Sequence, residues 1–213
     1  MARAWKLDLG CGRRKEPGFI GLDSSRGADV DVVGDLGQSL PFSAGIADEV
    51  RLSHVFEHVA NPVGVLEEVW RVCRQGAHVE IRGPHFSSPN LVWGDPTHRR
   101  GLSLATFRCF TDECDWYITK VRFSIESCRL VKGDTSFGAV AAKPWYWPLV
   151  LWNKTWERWV NRNLAAISRY ERLIARLVAF QEVRVVLVAE KDCKDADPTP
   201  SLGPPGTPWA GRP

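Results

Sequence analysis

The stretch Leu7-Asp8-Leu9-Gly10-Cys11-Gly12 decides how this sequence is read, because an apolar run that stops at a Gly-x-Gly turn is a strand whose end meets a ligand. Glycine has no Cβ, so Gly10 and Gly12 permit positive φ and let the backbone approach a bound molecule closely. Working outward, strand-length apolar runs recur at 19–22, 30–33, 50–52 and 79–81. Several of these runs stop at or near a polar or glycine residue, at Asp23, Asp35, Ser53 and Gly83. Parallel strands whose carboxyl ends share one binding edge produce that pattern.

Residues 59–75 carry apolar side chains at helical spacing, opened by Asn61-Pro62 and closed by Gly76, and read as a crossover helix. The link from the first run to the second, 10–18, is shorter than the dozen or so residues a crossover helix needs, so a helix there is shortened or missing. A Gly, Pro, His, Ser and Asn-rich stretch at 83–103 reads as a functional loop. Beyond it come a short helix within 103–114, strand-like alternation over 117–131 and a β-branched strand over 182–189. Between those strands, apolar residues at 149, 152, 156, 160, 164, 167, 170, 174 and 177 predict one amphipathic helix. At about 1.5 Å per residue it would be roughly 45 Å long.

With 213 residues and 44% hydrophobic composition, the chain suits one α/β domain over 1–191, followed by a Pro/Gly-rich tail at 192–213 expected to be disordered. A net charge of +3 without a basic run argues against a nucleic-acid partner. Six cysteines without a C-x-x-C pair, and no signal peptide before Trp5, suit a reducing cytosol. No apolar run reaches the roughly 18 residues of a membrane span.

Taken together, LDLGCG at 7–12, PGFIGLD at 17–23, VVGDL at 32–36, LPF at 40–42, DEVRLSHVFEHV at 48–59 and LEEVWRV at 66–72 resemble the class I S-adenosylmethionine (SAM)-dependent methyltransferases, most closely the small bacterial type 11 subgroup. The resemblance implies a Rossmann-like α/β fold with a mainly parallel sheet and an antiparallel last strand, and the apolar spacing adds a long helical insertion before that strand. It implies SAM as cofactor and an enzyme that methylates a small-molecule, sugar or lipid-linked acceptor. Asp8, Gly10, Cys11 and Gly12 would surround the methionine portion. Asp23 would accept the ribose hydroxyls, Asp35 and Leu36 would flank the adenine, and Ser53 and His54 would line the floor between cofactor and acceptor. The usual third glycine of the loop is absent, and Arg13, Arg14 or Lys15 could pair with the cofactor carboxylate instead.

An ionised Asp23 is an acceptor-only group suited to two hydroxyl donors, whatever the family. His85 and His98 are candidate general bases for a hydroxyl acceptor; they could equally order the loop, or join Asp95 around a metal. His54, Glu57 and His58 stand in the order H-V-F-E-H and not H-E-x-x-H, so no metal is expected there. Five of the ten tryptophans fall within 145–159, and 143–180 holds seven basic residues against two acidic ones. That segment packs on its own domain, on a second copy in a homodimer, or on an anionic membrane surface as a peripheral contact. Two rival functions stand beside methyl transfer. One is a non-catalytic cofactor-binding or interaction module; the other is an NAD(P)-dependent oxidoreductase, disfavoured because Lys15 replaces the third glycine.

Overall fold

The computed structural model describes residues 4–27, 29–114, 118–132 and 147–191, without the side chains of 147–150. The expectations for 143–146 and for the tail 192–213 lie outside the described residues. Seven strands form one sheet: β1 (Trp5–Leu9), β2 (Ile20–Asp23), β3 (Val32–Val33), β4 (Ala47–Ser53), β5 (Cys73–Pro84), β6 (Arg122–Val131) and β7 (Glu182–Glu190). Their spatial order is β3-β2-β1-β4-β5-β7-β6. Strands β1 to β5 pair in parallel, and β7 runs antiparallel to both β5 and β6. The strand order reverses direction at the β1/β4 pair, the switch point where open α/β sheets bind ligands.

Register explains which side chains build the core. Leu7, Val50, Val79 and Leu187 stand in one row and Leu52, Ile81 and Val185 in another, all fully buried. The alternate positions form the opposite face, where Lys6 pairs with Glu49 and Arg51 with Glu80 across strands, and Arg82 pairs with Glu80 along β5. Helix α1 (Pro62–Val72) buries Val65, Leu66, Val69 and Trp70 against the apolar face. Asn61 caps it by accepting from Gly64 N, and Trp70 Nε1 donates to the carbonyls of Arg122 and Glu190. The links β1–β2 and β2–β3 hold turns and no helix among the described residues, so the charged face stays partly solvated. The first crossover helix is therefore missing and not merely shortened.

Two short helices, α2 (Pro89–Trp93) and α3 (Leu104–Arg108), lie in and after the loop that follows β5. The single helix expected over 149–180 is instead two, α4 (Trp147–Val160) and α5 (Leu164–Leu173). The break has a side-chain cause. Asn161 Oδ1 accepts from Leu130 N while its Nδ2 donates to Leu130 O, fastening the chain to β6. Asn163 then opens α5 by accepting from Ala166 N. Apolar spacing continues through the break because both helices pack on the same core, where Val160, Ile167 and Tyr170 are buried. A cleft of about 690 Å³ lined by Trp70, Arg122, Leu164 and Glu190 sits at the amino edge of the parallel strands, opposite the glycine turn.

Candidate functional site

The glycine turn leaves β1 with Gly10 N and Cys11 N both donating to Leu22 O, at 2.7 and 3.2 Å, which holds the turn against β2. Gly10 adopts φ +73°, and a Cβ there would lie 2.4 Å from Val55 Cγ2. Gly12 adopts φ +56° with open space where its Cβ would point. One glycine is thus required for packing and conformation, the other for conformation alone.

Asp8 is buried on the charged face of β1, and its Oδ2 accepts from Glu16 N at 2.8 Å, clipping the return of the loop. Burial raises its pKa, opposed by the charges of Arg51 and Lys15. Cys11 is buried with its Sγ toward Asp29 O, and desolvation pushes its thiol up to about 11, so it lines the turn as a neutral group. Lys15 pairs with Asp31 at 2.6 Å, which commits its charge to the β2–β3 loop. Arg13 and Arg14 stay exposed beside the turn.

Asp23 ends β2 and does more than a lone carboxylate would. Its Oδ2 accepts from Gly12 N at 2.9 Å, and its Oδ1 accepts from both Ser25 N at 2.9 Å and Ser25 Oγ at 2.7 Å. Burial pulls its pKa upward, yet these donors outweigh burial and hold the carboxyl below its ordinary range. The turn and the carboxylate are therefore one unit. Asp35 is exposed past β3, folded back to accept from Gly37 N at 2.8 Å, while Leu36 packs against the core.

Ser53 ends β4, and His54 follows with φ +54°, the one positive-φ non-glycine residue among the described residues. Its ring lies 3.3 Å from Glu182 Oε2 and 3.5 Å from Glu57 Oε1. Glu182 first, then Glu57, raise its pKa to about 9 against burial, so at neutral pH it is a cation and a donor. Val55, pressed against Gly10, links this segment to the glycine turn. Asp8, Gly10–Gly12, Asp23, Ser53 and His54 thus gather at the carboxyl edge of β1, β2 and β4.

The two histidines proposed as bases part company. His85 is fully buried, with Nδ1 2.7 Å from Ser87 Oγ and Nε2 3.3 Å from Glu171 Oε1. Glu171 also accepts from Leu104 N at 2.7 Å, so His85 and Glu171 together seat α5 against the start of α3. The structure places His85 as an anchor inside the fold. His98 folds over the end of β4, with Nε2 3.9 Å from Glu57 Oε1 and 3.8 Å from Asp95 Oδ2. His85 and His98 therefore do not meet around Asp95. Glu57, Glu171, Glu182 and Ser25 have structural roles around these positions that the sequence reading missed. Glu171 and Glu182 meet their partners through long-range fold contacts, whereas Glu57 meets His54 three residues back and Ser25 meets Asp23 within a loop turn.

Residues 15–81 match a family model described as "Methyltransferase domain", of the type 11 group. No curated protein matches the chain in sequence. Among solved structures, the chain resembles a Haloferax volcanii complex between the Trm112 methyltransferase activator and a protein described as a methyltransferase. That match has a TM-score of 0.53 and 18% identity, covering 88% of this chain and 83% of that one. A protein described as a sarcosine dimethylglycine methyltransferase from Galdieria sulphuraria matches with TM-score 0.53 and 14% identity, over 88% of this chain and 78% of that one. Geranyl diphosphate C-methyltransferase from Streptomyces coelicolor, solved with Mg2+, geranyl diphosphate and S-adenosyl-L-homocysteine, matches with TM-score 0.51 and 14% identity, over 87% and 71%. At these identities the likeness is one of fold. Residues 15–81 thus carry a methyltransferase-domain pattern, and the chain shares the fold of these methyltransferase structures.

Proposed function

We propose that the chain binds SAM across the β1/β4 switch point and transfers its methyl group to a small-molecule or glycan acceptor held beside His54. The observation that carries this reading is the direct bond between the glycine turn and Asp23, from Gly12 N to Asp23 Oδ2. It joins the loop that would wrap the methionine portion to the carboxylate that would take the ribose. SAM supplies an already activated methyl group, so the protein's part is alignment, worth about 7–11 kcal/mol when acceptor, methyl and sulfur are held in line. In this reading Asp8 shapes the turn from beneath, Asp35 and Leu36 flank the adenine, and Ser53 with protonated His54 lines the floor. Both ring nitrogens of His54 face carboxylates, Nδ1 toward Glu57 and Nε2 toward Glu182, so His54 shapes that floor and does not donate to the acceptor. His98 is the better placed of the two candidate bases.

A lipid-linked acceptor is favoured by α4, where Leu151, Trp152 and Trp159 are 59%, 56% and 40% exposed. Trp152, Trp156 and Trp159 stack edge-on at 5.9 and 5.5 Å. No helix among the described residues is long and apolar enough to cross a membrane. Thermal shift with SAM, S-adenosylhomocysteine and NAD tests the cofactor: stabilisation by the first two alone is expected, and stabilisation by NAD alone refutes the reading. For α4, co-sedimentation with anionic liposomes should fall in Trp152→Ala; an unchanged bound fraction removes the membrane contact.

A further inference from the structure

We propose that Glu57, His58 and His98 form a binding site for one divalent transition-metal cation just beyond the carboxyl end of β4. The decisive observation is Glu57. Its side chain is fully buried, and neither carboxylate oxygen has a hydrogen-bond partner among the described residues. A buried carboxylate without a donor is strongly unfavourable unless something positive or protic meets it. His54 Nδ1 at 3.5 Å and His98 Nε2 at 3.9 Å stand at ion-pair distance, so the His54 cation offsets part of the charge, yet neither donates a hydrogen bond to it. One ligand atom from each of Glu57, His58 and His98 lies within 4.8 Å of the others, and the two imidazoles meet edge-on with centroids 4.6 Å apart.

The surroundings prepare both histidines as ligands. His98 Nδ1 lies 3.2 Å from the Val92 carbonyl, which can only accept, so Nδ1 carries a proton and the neutral ring offers its lone pair at Nε2. His58 Nδ1 lies 3.0 Å from Thr97 Oγ1, whose own proton goes to Asp95 Oδ1 at 2.6 Å. The Thr97 oxygen therefore accepts from His58 Nδ1–H, and the neutral ring again offers Nε2 as the ligand atom. Ligating histidines are held in this way in metal sites, by a carbonyl or a carboxylate-linked group on the far nitrogen. Arg99 N donates to Glu57 O at 2.9 Å and ties the loop carrying His98 to the segment carrying Glu57 and His58. Donors about 2.0–2.2 Å from a cation stand closer together than 4.8 Å, so binding would draw the three side chains inward. Two imidazoles and one carboxylate select zinc, iron, cobalt, nickel or manganese over the all-oxygen calcium and magnesium sites. Three protein donors leave positions for solvent or an acceptor oxygen.

Metal binding is measured on the protein alone and does not depend on the proposed reaction. The full chain, stripped with EDTA, is titrated with Co2+ and followed by visible d–d absorption, and with Zn2+ by calorimetry. One equivalent is expected to bind. Glu57→Gln, which keeps the shape and removes the charge, and His98→Ala should each weaken binding more than about tenfold, and Thr97→Val by about tenfold through His58. Two results overturn the proposal: no stoichiometric binding of either ion to the folded wild type, or affinities in folded Glu57→Gln and His98→Ala equal to wild type. Thr97→Val, on the loop, tests the same site should the other two variants not fold.

Discussion

Asp23→Asn isolates the carboxylate that joins the glycine turn to the end of β2. In the folded protein this carboxylate already accepts three hydrogen bonds, one from Gly12 N on Oδ2 and two from Ser25 on Oδ1. Each oxygen has two lone pairs, so Oδ2 can take one more donor, while Oδ1 can take a ribose hydroxyl only if the Ser25 hydroxyl turns away. Asparagine keeps one acceptor oxygen and presents an NH2 to donors on the other side. A charge-assisted hydrogen bond is worth about 1.5–3 kcal/mol, so loss of the charge and one acceptor should cost about 2–3 kcal/mol of cofactor binding. That is a rise of about 30- to 150-fold in Kd for S-adenosylhomocysteine by calorimetry. The fold should lose only about 1 kcal/mol, since Gly12 N can still donate to the amide oxygen. Ser25→Ala supplies the contrast: it frees Oδ1 and should leave Kd unchanged or lower. The folded pKa of Asp23 lies below its unfolded value of about 3.9, so its contribution to stability is complete above that value. It is lost as pH falls through the folded pKa. A folded Asp23→Asn variant that binds within about threefold of wild type, well under 1 kcal/mol, would falsify the assignment of the ribose to this carboxylate.

The two turn glycines should differ on replacement by alanine. Gly10→Ala drives a Cβ to 2.4 Å from Val55 at φ +73° and should lower stability by about 2–4 kcal/mol, whereas Gly12→Ala meets open space and should cost about 1 kcal/mol in chemical denaturation. Equal losses would contradict the packing role of Gly10. Glu68→Gln should cost about 1–2 kcal/mol at pH 7, because Glu68 receives Arg71, Leu40 N and Ser39 and binds the loop before β4 to α1. Burial raises the Glu68 pKa, but Arg71 first and then these other donors hold it below the usual range. The gap between wild type and variant should therefore be full above about pH 4.3 and close as pH falls further, as read from urea midpoints. Asn163→Ala removes the α5 cap and should lower stability by about 1 kcal/mol. Asn161→Ala, which loses two bonds to β6, should cost at least as much; no change in either would remove the account of the helix break.

Strand existence was legible in the sequence wherever burial leaves a short apolar run. The apolar run that stops at Gly10 is β1, and the runs at 19–22, 50–52 and 79–81 lie within or one residue from β2, β4 and β5. The glycine turn and the carboxylate ending β2 were legible for the same reason: a positive φ and an acceptor-only group each demand a residue type at a fixed place along the chain. That the first crossover helix is shortened or missing could be read from length alone, and the structure decides for missing. The break between α4 and α5 could not, because 3.6-residue spacing reports which face is buried and not whether the backbone is continuous; Asn161 interrupts it through a β6 contact over thirty residues away in sequence.

The amino-acid sequence by itself determined the strand runs, the turn chemistry at Gly10 and Gly12 and the family pattern, since each rests on local backbone preference and period. Only the tertiary structure decided the rest. It buried His85 against Glu171, raised His54 between Glu57 and Glu182, and brought His98 over Glu57 and His58. Protonation, ligation and access depend on the dielectric and charge within a few ångströms of an atom, and those neighbours come from segments up to 128 positions apart along the chain.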